Sequence, residues 1–223
     1  MLGANLVAAY VHGSLALGAY DPDASDVDFL VATETDLDAA AVARLAALHE
    51  QLGDRLDGSY LARAVLRRFD PAQRMHPHIE SRGGRLALDD HGGETVIYRY
   101  VLRKCGVTLV GPPPQELIDP INGAELQAGV RMLLREWWQP DGGGAWAWFH
   151  DAAYRRYAVL TMCRVRYTLA EADVVSKAAA VEWSLAHVDA RWRDVIARAA
   201  ARGECGYEET VAFVRDTLAA ASC

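Results

Sequence analysis

Leu6–Val11 reads LVAAYV, six residues without a charge, and Gly13 follows shortly after. A short apolar run stopped by a glycine predicts a buried strand. Ser14 is placed to cap a brief helix through Leu17. Asp21-Pro22-Asp23-Ala24 is turn chemistry, because aspartate hydrogen-bonds nearby backbone and proline presets φ. A second apolar run, Val27–Ala32, predicts a second strand. From Leu37 the apolar residues fall at Ala41, Leu45, Leu48 and Leu52, which is the spacing of one helix face. Leu56–Leu66 predicts a third strand running into a helix. Arg82–Gly93, rich in glycine and charge, predicts a loop or hairpin, and Val96–Gly106 a helix closed by its glycine.

Gly111-Pro112-Pro113-Pro114 is the strongest punctuation in the chain, and Asp119-Pro120 follows it. It divides the sequence into residues 1–112, where strands and helices alternate, and residues 113–223, where the pattern is helical throughout. Candidate helices lie near 123–139, 146–170, 176–202 and 207–221, with Asp141-Gly142-Gly143-Gly144 between the first two. The expectation is an α/β (α+β) domain with a mixed sheet, then an all-α bundle of about four helices.

Composition narrows the class. The chain has 223 residues, 52% of them hydrophobic, so it can bury a substantial core. No stretch is apolar for eighteen residues, and no charged segment leads into an apolar one at the N-terminus. We therefore expect a soluble protein without a signal peptide or a membrane partner. Cys105, Cys163, Cys205 and Cys223 stand singly, without the paired spacing of a zinc site or a disulfide framework. That pattern fits a reducing cytoplasm, with Cys163 and Cys205 as buried apolar residues. A net charge of −7 excludes a broad basic footprint for nucleic acid and would attract a cationic small molecule. A monomer or weak dimer is expected.

The chemistry concentrates near the start. Side chains alternate across a strand, so Asp26 and Asp28 point to one face of the second apolar run. Two carboxylates that close repel each other unless a cation sits between them. Hard oxygen donors in pairs suit Mg²⁺, which completes its shell with water and substrate phosphates. Gly13-Ser14 upstream offers an unhindered backbone at a helix start, which can cradle phosphate. The stretch DPDASDVDFLVA also looks like the opening of a calcium loop, but it fails there. Asp26 stands where the sharp-turn glycine belongs and Ala32 where the bidentate glutamate belongs. His76 and His78 flank Pro77; two imidazoles without a third ligand make no metal site, and a loop at a cleft rim is expected.

Gly13-Ser14…Ser25-Asp26-Val27-Asp28 resembles the signature of the polymerase-β-type nucleotidyltransferase superfamily. Leu102–Pro113, Leu160–Leu169 and Val174–Trp183 are similar to segments of its aminoglycoside nucleotidyltransferase branch, the streptomycin 3''- and spectinomycin 9-adenylyltransferases. The resemblance spans nearly the whole chain. It implies that Asp26 and Asp28 bind Mg²⁺ and that Gly13, Ser14 and Ser25 meet the nucleotide phosphates. It also implies that Lys177 falls on a phosphate-binding lysine, and that Arg164 and Glu94 lie near the nucleotide. A cation brought from the second domain to a triphosphate is physically reasonable.

Three departures from the family pattern stand out. The family places a glutamate on a neighbouring strand as metal contact and general base; the matching residue here is Asp57, one methylene shorter. In streptomycin-accepting relatives an acidic contact stands where Tyr154 stands here, so a spectinomycin-like acceptor is favoured. Relatives carry a helix before the first strand, which here begins a few residues after Met1. Trp146, Phe149, His150, Tyr154 and Tyr157 recur at helical spacing. They are core, or else His150, Asp151, Tyr154 and Tyr157 wall a cleft that receives a polycationic aminosugar through carboxylate and aromatic faces. The resemblance implies an enzyme that binds ATP with two Mg²⁺ ions, held by Asp26, Asp28 and Asp57, between its domains. It would transfer AMP to a hydroxyl of an aminoglycoside or aminocyclitol. The alternatives are transfer to a protein, as in antitoxin-type members, and an inactive nucleotide-binding module.

Overall fold

The computed structural model describes residues 2–81, 83–140 and 144–221. The expected linker residues Asp141, Gly142 and Gly143, together with Arg82 and Cys223, lie outside the described residues. The chain forms two compact units, one running to Ile121 and the other starting at Asn122.

The first unit opens with β1 (Leu6–Val11), the short α1 (Gly13–Ala16) and β2 (Val27–Thr33). α2 (Ala39–Leu52) follows, started by Asp38, whose carboxylate accepts from the Ala41 N–H at 2.7 Å. β3 (Leu56–Ala62) returns parallel to β2 through this helical crossover. α3 (Arg63–Arg67), β4 (Met75–Ile79), β5 (Ala87–Asp90), α4 (Gly92–Cys105), β6 (Val107–Val110) and α5 (Pro114–Leu117) complete the unit. The six strands order as β5-β4-β3-β2-β1-β6, and only β2 and β3 run parallel, so the sheet is mixed.

Both faces of the sheet carry a core. On one face Ala8, Tyr10, Leu30, Ala32 and Leu61 pack with Leu66, Leu102, Leu117 and Ile118. On the other, Tyr60 and Ile79 pack with Leu45 of α2, alongside Phe29 and Val31. Burying each leucine or isoleucine among them contributes about 1.5–3 kcal/mol. The proline run does not end this unit. Leu117 and Ile118 belong to its core, the Tyr10 hydroxyl donates to the Pro112 carbonyl at 2.7 Å, and Asp119 pairs with Arg67 and Arg68.

Several sequence expectations need correction. Met75–Ile79 is a strand, not a loop, with His76 and His78 buried in it. Pro77, which argues against a strand, is paired opposite Leu88 of β5 but lies beyond the register with β3, which covers only His78 and Ile79 of β4. α4 starts at Gly92, a turn before the expected Val96. Ser14 does not cap α1: His12 holds the cap position, and no side chain bonds the free N–H groups.

The second unit is helical: α6 (Gly123–Trp137), α7 (Ala152–Glu171), α8 (Lys177–His187), α9 (Arg193–Ala200) and α10 (Tyr207–Ala221). Asn122 and Glu125 form a reciprocal capping box on α6. α7 packs against the other four and buries Ala158, Val159, Met162 and Cys163. The helix expected over 176–202 is two helices, because Val188 is extended and the Asp189 carboxylate opens a new turn by accepting from the Arg191 N–H at 3.0 Å. The helix expected from 146 begins as a separate turn, Gly144–Trp148, before α7 starts at Ala152. Among the described residues no helix is long and apolar enough to cross a membrane.

Candidate functional site

Strand alternation places the chemistry of the first unit. In β2 and β3, Leu30, Ala32 and Leu61 lie on the core face that Leu102 of α4 shares, so Asp28, Asp57 and Ser59 fall on the same side. Asp28 stands opposite Asp57 in the parallel register, and Ser59 opposite His78 of β4. The apolar side chains fill the middle of this face and the polar ones its end.

Gly13 determines where Asp28 sits. Its φ is +57°, and a Cβ built on it would meet Asp28 Oδ2 at 1.9 Å. The carboxylate therefore rests directly against the backbone after β1, where only glycine leaves room. The His12 N–H donates to the Asp28 carbonyl at 2.9 Å, tying the two segments together. His12 itself is buried, which holds its imidazole below the usual value, while the Asp28 charge pulls the other way.

Asp57 has been pushed up from 3.8 to about 6. Burial is the largest cause; repulsion from Asp28, Glu94 and Asp26 adds to it, and the Ser81 N–H at 3.2 Å from Oδ2 opposes it. His78 Nε2 lies 3.7 Å from Asp57 Oδ1, and burial drives that imidazole down to about 3. The contact is therefore not an ion pair. Asp26, Asp28, Asp57 and Glu94 thus share one polar patch. Glu94, on the first turn of α4, accepts from the Tyr98 hydroxyl at 2.6 Å and from His91 Nδ1 at 3.4 Å.

The serines divide. Ser25 Oγ accepts from the Asp21 N–H at 3.0 Å and closes the turn before β2, which leaves its proton to give. Ser14 Oγ is a buried atom with no hydrogen-bond partner among the described residues. An orphaned hydroxyl beside a glycine-lined carboxylate fits a phosphate with its cation. Among the described residues no three His, Cys, Asp or Glu stand together as a metal cage. Mg²⁺ needs none: it takes one or two carboxylates and completes its shell with phosphate oxygens and water.

Sequence reasoning placed His76 and His78 in a loop and missed His91, which joins them behind this patch. His76, His78 and His91 lie in mutual ring contact, with centroids 3.8 Å apart for His78 and His91 and 5.4 Å for His76 and His91. The signal was present in the alternation of His76-Pro77-His78, whose two imidazoles share one strand face.

In the helical unit, Lys177 is the first residue of α8, whose cap is Ser176, and its Nζ lies 5.5 Å from the Tyr157 ring centroid. Arg164 is half-buried on α7. The aromatic group is mostly core: Phe149 and Trp138 are fully buried, with Trp146 stacked on Phe149 at 4.9 Å. Tyr154 stacks on Trp138 and accepts from Trp137 Nε1 at 3.2 Å. His150 and Asp151 are exposed, and the Asp151 carboxylate caps α7 by accepting from the Tyr154 N–H at 2.9 Å. Cys163 and Cys205 are buried, and burial pushes the Cys163 thiol up to about 11, which makes it a poor nucleophile.

Residues 3–68 match the nucleotidyltransferase domain model, and residues 116–221 match that of the aminoglycoside adenylyltransferase C-terminal domain. The chain belongs to the aminoglycoside nucleotidyltransferase family. Among curated relatives, an aminoglycoside (3'') (9) adenylyltransferase of Klebsiella pneumoniae is 29% identical over 116 residues, covering 52% of this chain and 41% of that protein. One from Rhizobium radiobacter is 31% identical over 98 residues, covering 44% and 33%. The chain thus spans less than half the length of the curated relatives it matches. The fold is that of the Enterococcus faecialis spectinomycin adenyltransferase AAD(9), solved with ATP and spectinomycin. Its TM-score is 0.78 at 14% identity, covering 100% of this chain and 94% of that one.

Proposed function

We propose that this chain transfers AMP from ATP to a hydroxyl of an aminocyclitol or aminoglycoside, with release of pyrophosphate. What carries the reading is the packing of the Asp28 carboxylate on Gly13, in register with Asp57 and beside the orphaned Ser14 hydroxyl. Asp26, Asp28 and Asp57 would hold two Mg²⁺ ions, which when bound offset the charge of the triphosphate. Ser14 and Ser25 donate to phosphate oxygens. Lys177 and Arg164 are carried over as nucleotide contacts on family resemblance. Asp57 takes the proton of the acceptor hydroxyl as its oxygen attacks the α-phosphorus and pyrophosphate departs. With no cation bound, its carboxyl titrates near 6, above an ordinary aspartate, and is still ionised at neutral pH.

The acceptor reading favours spectinomycin over streptomycin, because Tyr154 stands in place of the acidic contact and its hydroxyl is engaged by Trp137. The test is incubation with α-labelled ATP, Mg²⁺ and each drug. We expect labelled spectinomycin with wild type and none with Asp28→Asn. Label on the protein itself, or ATP binding without turnover for any acceptor, would refute the proposal.

A further inference from the structure

The hydrogen bonds behind Asp57 run in one direction, and that direction determines which nitrogen of His78 carries a proton. His76 Nδ1 lies 3.0 Å from the Arg74 carbonyl, which can only accept, so Nδ1 holds the hydrogen. His76 and His78 are both buried and in ring contact with His91, the imidazole that Glu94 and Asp89 favour as a cation. The two carboxylates place the one charge on His91, and burial beside that charge keeps His76 and His78 neutral. A neutral His76 leaves Nε2 bare, and the Ser59 hydroxyl at 3.1 Å gives it its only proton. Ser59 Oγ must then accept at its other contact, His78 Nδ1 at 2.9 Å. His78 thus carries its hydrogen on Nδ1 and turns a bare Nε2 toward Asp57 Oδ1, 3.7 Å away.

We propose that Ser59 positions Asp57 for reaction by locking His78 in the Nδ1–H tautomer, so that the histidine beside Asp57 Oδ1 withholds a hydrogen bond from it. The Ser81 N–H holds Oδ2, and among the described residues the His78 side offers Oδ1 no donor. That oxygen keeps its freedom to meet a hydroxyl or a cation. The other tautomer would place an N–H against Oδ1 and draw the carboxylate onto the histidine. Ser59 is a positioning residue, since it is buried and reaches Asp57 only through His78. The kinetic part of this inference rests on the transfer reaction proposed above; the tautomer part does not.

The experiment records nitrogen-15 shifts of ring-labelled histidine in the purified protein at neutral pH, with the His78 signal assigned by its loss in His78→Gln. Wild type should show a protonated Nδ1 and a bare Nε2 at His78. In Ser59→Ala, Nδ1 loses its acceptor and the proton should move to Nε2. In that variant kcat should fall about tenfold, the scale of one added hydrogen bond to a charged group. KM for ATP and for the acceptor should hold within about twofold. Ser59→Thr, which keeps the hydroxyl, should restore both tautomer and kcat. A protonated Nε2 in wild type overturns the inference even if Ser59→Ala does not fold, and so does a tautomer switch that leaves kcat unchanged. A wild type with the stated tautomer that transfers nothing overturns the proposed function instead and leaves the hydrogen-bond chain standing.

Discussion

Replacing Asp57 by asparagine should stabilise the protein at pH 8 while abolishing the proposed chemistry. The carboxyl titrates near 6 in the folded chain against 3.8 for an ordinary aspartate, chiefly because it is buried and faces Asp28, Glu94 and Asp26. Between those values the folded state holds a proton that the unfolded chain gives up, so stability is lost as pH rises through the window. At about 1.4 kcal/mol per tenfold change in proton affinity, the whole gap is worth about 3 kcal/mol. The side chain is 34% exposed, so solvent screening reduces the expected gain to about 1–2 kcal/mol. Asparagine keeps the shape and the acceptor for the Ser81 N–H without the charge. For a chain of this length that is a rise in Tm of about 3–6 °C. The assay is thermal unfolding of wild type and Asp57→Asn at pH 4 and pH 8, free of nucleotide and divalent ions. The difference between the two proteins should be near zero at pH 4 and favour the variant at pH 8. Equal melting at both pH values would refute the electrostatic account of this patch.

Gly13→Ala should cost about 1–3 kcal/mol through a residue held at positive φ, and its methyl group should displace the Asp28 carboxylate. A displacement of about 1 Å lowers transfer on the order of 10²-fold, so initial rates beside a melting curve check it, and wild-type turnover would count against the site. Acid should destabilise wild type through the opposite sign. His76 and His78 titrate near 4 and 3 in the folded protein because they are buried, so the unfolded chain binds protons that the fold refuses. That stability is present above 6.5 and is lost as pH falls through the window; urea midpoints at pH 7 and pH 5 for wild type against His76→Gln measure it, and an equal fall in both proteins would remove the histidines as its cause.

The strands and helices that sequence reasoning found carry unopposed signals: an apolar run closed by glycine at Leu6–Val11, and helical spacing behind Asp38. The acids were legible because they interrupt such runs at the head of a strand, where folding alone has no use for them. What stayed hidden is what two signals contest. Pro77 masked β4, although the alternation of His76 and His78 was there to read. β6 is exposed at all four residues, so its apolar letters mark a sheet edge that a burial argument would not find. The break at Val188 has neither glycine nor proline, and only the capping power of Asp189 betrays it. The Ser59 contacts with His76 and His78 join strands whose pairing no local pattern specifies.

The proposed role of Asp57 makes sense when the patch is taken as one electrostatic object. Three carboxylates, those of Asp26, Asp28 and Glu94, act on that of Asp57 at the end of a sheet, an arrangement that opposes folding. Gly13 seats Asp28, Tyr98 and His91 bond Glu94, and Ser81 bonds Asp57. None of these holds brings a full positive charge onto Asp28 or Asp57, and the imidazole beside Asp57, that of His78, is driven neutral by burial. A fold that gathers acids and keeps the adjacent histidine uncharged concentrates negative potential where a cation can relieve it. The shorter reach of Asp57 then matters less than its basicity, because its backbone is fixed opposite Asp28 by strand register. An aspartate that titrates near 6 stays ionised at neutral pH and still has a use for the proton of an attacking hydroxyl.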